Sequence, residues 1–125
     1  MSRFLPADHS KGDEHTIGGY AAVHGRPAAF DARDGLSYSV EILVDAAADP
    51  RGRFGAYLFF LRWRRIGEEG VEGHLESACL EFGETRQEAM DALGAWSIER
   101  AQRELDALLD AEAARGAPSD DGDDA

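Results

Sequence analysis

Five arginines, Arg51, Arg53, Arg62, Arg64 and Arg65, fall in a fifteen-residue stretch that contains no carboxylate. Guanidinium groups on that spacing can bind anions, and with aromatics between them they suit single-stranded nucleic acid. Arginines contact phosphates and rings stack on bases. The intervening residues, Tyr57-Leu58-Phe59-Phe60-Leu61, are apolar and aromatic. Such a run belongs in a core or at an interface, not on a solvated strand. Arginines near Glu41, Glu68, Glu69 or Glu76 would form surface ion pairs instead, each worth about 0–1 kcal/mol.

Glu72, His74 and Glu76 alternate along the chain, so on a strand they share one face. Carboxylate and imidazole groups bind divalent metals, but no second histidine cluster accompanies them, and a solvated strand face explains the pattern better. Cys79 paired with His74 or His24 would be a thiol nucleophile only with access and a neighbouring base. Its apolar surroundings point to an inert thiol. His9 and His15 lie in an N-terminal stretch with little apolar pattern. These residues call for no catalytic centre, cofactor or metal.

The chain has 125 residues and a formal net charge of −12, from 25 acidic and 13 basic side chains. That balance disfavours general binding to nucleic acid or anionic membranes. A single cysteine excludes an intrachain disulfide and fits a reducing, cytoplasmic setting. No apolar run reaches the ~20 residues of a membrane span. The length predicts one domain over residues 17–114. Residues 1–16 read as a flexible arm and residues 115–125 as a disordered acidic tail.

The elements that must position the arginines follow from periodicity. Gly19–Asp31, interrupted by Gly25 and Pro27, reads as a bulged or broken edge strand, or as two short strands. Asp34-Gly35 marks a hairpin. In Ser37–Asp45, Tyr38, Val40, Ile42 and Val44 alternate with Ser39, Glu41 and Leu43, which predicts a strand. Gly55–Arg64 predicts the central strand, Gly67–Gly70 a second hairpin and Val71–Phe82 the last strand. Thr85 and Glu88 make a capping box that starts a helix. Gly94 and Ser97 weaken its middle, which predicts a kinked helix or two helices, 86–94 and 98–114. The fold class is therefore α+β: an antiparallel meander of about four strands, then helix packed on one face.

Leu75–Leu93, a strand entering Gly83-Glu84-Thr85-Arg86-Gln87-Glu88-Ala89, resembles the strand-to-helix corner of HicB-type antitoxins. It is similar as well to the last strand and helix of double-stranded-RNA-binding domains. The resemblance covers about twenty residues and carries no site residue with it.

Because both faces of the central strand are apolar, one helical layer leaves a face to be covered. The sequence predicts a module that binds another protein or a second copy of itself. Its expected contact surface is Leu43, Leu58 and Phe60, rimmed by Arg62 and Arg64. An acidic inhibitor of a basic protein belongs to this class. The competing reading is single-stranded nucleic-acid binding through Arg51, Arg53, Arg62, Arg64 and Arg65. A metal-dependent enzyme built on Glu72, His74 and Glu76 is the third.

Overall fold

In the computed structural model the described residues are 9–63 and 71–115. They form an α+β unit in the order α1 (Ile17–His24), β1 (Ala29–Asp31), β2 (Ser37–Asp45), β3 (Phe54–Trp63), β4 (Val71–Glu76), β5 (Glu81–Gly83), α2 (Arg86–Gly94) and α3 (Ile98–Arg115). The sheet is an antiparallel meander, β1-β2-β3-β4, and β5 pairs with the other end of β3. The 67–70 hairpin lies outside the described residues.

The segment expected as a broken edge strand is instead helix α1 followed by the short β1. Caps outweigh the two glycines at its start. Thr16 Oγ1 accepts the Gly19 N–H at 3.0 Å, and Gly25, at φ 69°, closes the helix by donating to the Ala21 carbonyl. Gly18 is there for proximity: a Cβ would sit 3.3 Å from the Gly94 Cα, where α1 meets α2. Part of the stretch expected to be a flexible arm has firm partners. The His15 carbonyl accepts from Ile98 N–H at 2.8 Å, and Ile17 N–H donates to the Trp96 carbonyl at 3.0 Å. These bonds pin the start of α1 to the α2–α3 joint.

The last strand is also divided. Residues 77–80 leave the ladder, and Ser77 Oγ accepts the buried Leu58 N–H at 2.9 Å. Ser77 thereby satisfies a backbone donor that the broken ladder would orphan. The helices fall as the capping pattern implies. Thr85 Oγ1 accepts from Glu88 N–H, the Glu88 carboxylate accepts from Glu84 N–H rather than from Thr85, and Ser97 Oγ accepts from Arg100 N–H to open α3.

All three helices lie against one face of the sheet. The register pairs Tyr38 with Arg62, Val40 with Phe60, Ile42 with Leu58 and Val44 with Ala56. Apart from Arg62, these residues meet Ala89 and Leu93 of α2, Ala101, Leu105 and Leu109 of α3, and Ile17 of α1. Tyr38, Leu58, Phe60, Leu93 and Leu105 have no exposed surface. Burying each large apolar side chain contributes about 1.5–3 kcal/mol, so this layer is the main source of stability.

Candidate functional site: the open face of the sheet

The register also settles which residues share the other face. Ser39 lies opposite Leu61, Glu41 opposite Phe59 and Leu43 opposite Tyr57. From β4, His74 lies opposite Leu61 and Glu76 opposite Phe59. Tyr57, Phe59, Leu61 and Trp63 thus form a stripe of about 20 Å along β3. None of them belongs to the helix-covered core. Tyr57, Phe59 and Leu61 are half-buried by their neighbours, and Trp63 is 38% exposed.

This arrangement corrects the expected contact surface. Leu58 and Phe60 cannot meet a partner, because they lie at the centre of the core under α2 and α3. Leu43 is on the opposite face, beside Tyr57. Arg62 points into the helix-covered side, where Nε donates to the Tyr38 hydroxyl at 2.7 Å and Nη2 to Glu112 at 2.7 Å. Burial alone would lower its pKa, but these two hydrogen bonds and the Glu112 charge hold it above the ordinary arginine value. Arg64 and Arg65 lie outside the described residues.

The remaining arginines are also occupied. Arg53 Nε donates to Asp49 at 2.8 Å, and its guanidinium stands over the Phe82 ring. Asp49 also accepts the backbone N–H groups of Arg51 and Arg53, and these bonds hold its carboxyl below the usual range. Arg51 meets Glu84 at 3.9 Å, with both side chains exposed. The sequence brought these cations together, but the fold pairs them separately.

The acids around the open face are less fully paired. Glu76 meets His74 Nε2 at 3.2 Å, and the His74 ring stacks on Phe59 with centroids 4.9 Å apart. Burial raises the Tyr57 phenol pKa, and the negative charges of Asp45 and Glu76 raise it further. The face therefore carries a negative field beside its aromatic rings. At the far end Trp63 Nε1 donates to Ser39 Oγ at 3.1 Å, which ties the indole to β2.

Among the described residues no group of three metal-binding side chains is close enough to share an ion. His74 spends its ring on Phe59 and Glu76. Cys79, expected in a strand, sits in the 77–80 break. It is half-buried and packed near Gly55, and burial pushes its thiol pKa up, away from the reactive thiolate. Among the described residues no helix is long and apolar enough to cross a membrane. Compared with family models, curated proteins and solved structures, the chain shows no match.

The aromatic stripe itself was legible in the sequence as alternation within Tyr57–Trp63. Its exposure does not follow from the alternation of β3 alone. The signal that decides it is on β2, where Ser39 and Glu41 share this face while every residue of the other face is apolar.

Proposed function

We propose that the protein is a binding module whose open sheet face docks a cationic surface of a partner protein. One observation carries this reading: an aromatic stripe, Tyr57 to Trp63, that no helix covers among the described residues, bordered by Glu41, Asp45 and Glu76. Aromatic rings supply buried area and attract cations through their faces. Carboxylates at the rim steer and orient a positive partner. An inhibitor of a basic protein is one member of this class. Stacking two copies face to face would oppose like charges on a chain of net charge −12, so self-association is the weaker form. Nucleic acid fits poorly, since Arg51, Arg53 and Arg62 already have carboxylate partners.

The test compares the wild-type chain with a Phe59→Asp/Leu61→Asp variant, checked for native helix signal and cooperative melting. Both are used as bait in nuclease-treated lysate at low and high salt. The reading expects a stoichiometric basic protein that binds the wild type, dissociates at high salt and is lost from the variant. A folded variant that keeps the same partner, or a wild-type chain that binds only nucleic acid, overturns it.

A further inference from the structure

A second feature lies on the opposite side of β2 from the β3 ladder. β1 pairs with β2 only from Ala29 to Asp31, and one more bond runs from Val40 N–H to the Ala28 carbonyl at 3.0 Å. Strand alternation then requires that Ile42 and Val44 point their N–H and C=O groups the same way as Val40, outward from the sheet. Arg86 donates to the Val44 carbonyl at 3.0 Å. Among the described residues the Ile42 N–H, the Ile42 C=O and the Val44 N–H have no protein partner. An open edge of this kind is normally blunted or covered. Here β1 stops short of it and Arg86 covers only its end.

Beside that edge is a groove of about 830 Å³ between α1, β2 and α2. Its walls are low because the helices present small residues, Gly18, Ala21 and Gly25 from α1 and Gly94 and Ala95 from α2. The helices meet at Gly18 and Gly94, and both glycines line the groove. Glu41 and Asp91 also line it. Its one lining arginine, Arg26, is held over the Tyr20 ring at 5.5 Å, and Arg86 is held over Phe54 at 5.3 Å. Asp91 accepts from the neutral Gln87 amide at 2.7 Å, and the charge beside the edge that lacks a cationic partner among the described residues is therefore negative.

We infer that the β2 edge at Ile42–Val44 and the groove beside it form a strand-addition site for an extended, cationic segment of a partner protein. The free backbone groups select an extended main chain, since one residue opposite Ile42 in an antiparallel pairing satisfies both its N–H and its C=O. Period two fixes where the side chains go. The residue opposite Ile42 points into the groove toward Asp91. Its neighbours stand beside Glu41 and Leu43. A basic side chain on either face of the added strand thus meets a carboxylate. The site does not depend on the aromatic stripe and is tested apart from it.

The probe is the capped hexapeptide Arg-Val-Arg-Val-Arg-Val, with a version N-methylated at alternate residues as its control. It is titrated into the full-length protein, and amide exchange is followed by NMR. Binding should slow exchange at Ile42 and Val44 by at least about tenfold, and the N-methylated peptide that cannot pair should fail. Val44→Pro removes an outward-facing N–H that the β2–β3 ladder does not use, at the cost of the Val44 side chain that packs on the core, so in a variant checked for cooperative melting it should weaken binding about tenfold. Ala21→Trp, which fills the groove from α1, is the second variant and should block binding. Phe59→Asp should leave it unchanged. Peptide binding that leaves the Ile42 and Val44 amides exchanging as in the free protein overturns the assignment. So does binding that is lost with Phe59→Asp, or no binding at all.

Discussion

Arg62 donates to the Tyr38 hydroxyl at 2.7 Å, and the same hydroxyl is bonded to Asp34 at 2.6 Å. Tyr38 is fully buried, so one phenol joins the β1–β2 turn, the centre of the sheet and, through Glu112, the end of α3. Removing the hydroxyl strands two partners. Tyr38→Phe should lower the unfolding free energy by about 1–3 kcal/mol, measured by urea denaturation near neutral pH. A loss below a few tenths would show that water replaces the hydroxyl without cost.

The same phenol gives a pH signature. Burial first, then the Asp34 hydrogen bond, pushes the Tyr38 pKa from 10.0 up to about 12. The unfolded chain releases that proton first as pH rises. The contribution is therefore complete below about pH 10 and is lost progressively between pH 10 and pH 12, by up to about 2 kcal/mol. Tyr57 shifts in the same direction, so the comparison must be with Tyr38→Phe. The decline over this window should be steeper in the wild type. Parallel curves would contradict the assignment.

What the sequence could and could not reveal divides along physical lines. Strand β2, the Asp34-Gly35 turn and the split helix at Gly94–Ser97 follow from local alternation, turn chemistry and caps, and each was legible. Helix α1 was not, because Gly18 and Gly19 look like breakers until the close approach to Gly94 is known. The break at residues 77–80 depends on Ser77 bonding a distant backbone group. The site suffered from a harder ambiguity. Both faces of β3 are apolar, so β3 alone cannot say which one the helices cover. Only pairing with β2, whose Tyr38, Val40, Ile42 and Val44 make the sole fully apolar face, decides it. That comparison needs the register, and without it nothing places Leu58 and Phe60 in the core rather than on the surface.

Burial on the two faces predicts a sharp contrast in mutational cost. Leu58 is enclosed between the sheet and the helices, so Leu58→Ala should cost about 2–5 kcal/mol. Trp63 keeps 38% of its surface exposed, and among the described residues its ring nitrogen bonds Ser39. Trp63→Ala should cost about 1 kcal/mol or less. Chemical denaturation of both variants checks the pair. Equal costs would mean that something covers the open face in the isolated protein.

The acid side of the stability profile should depend on the N-terminal turn. Glu14 accepts from His24 Nε2 at 3.0 Å and meets His9 at 3.3 Å. The His24 hydrogen bond, with both histidine charges, holds its carboxyl below the ordinary 4.5. A depressed carboxylate stabilises the fold above its unfolded pKa, and that stabilisation disappears as pH falls below about 4.5 through the folded value. Glu14→Gln should therefore flatten the acid limb of a stability–pH curve. An unchanged limb would assign acid sensitivity to other carboxylates, with Asp13, which is depressed by its bonds to His15, the next to test.

Salt should act with opposite signs on the protein and on its complex. With 25 acidic and 13 basic side chains, repulsion opposes folding, and exposed pairs such as Arg51–Glu84 offset little of it. Raising the salt from low concentration to about 1 M shrinks the screening length to about 3 Å. Folding stability should then rise, by an amount on the order of 1 kcal/mol. A cationic partner held at Glu41, Asp45 and Glu76 should bind more weakly over the same range, mostly through a slower association rate. Thermal melts and association kinetics in one salt series test both trends. If the two rise together, the open face binds by apolar contact alone and its acidic rim has no part in recognition.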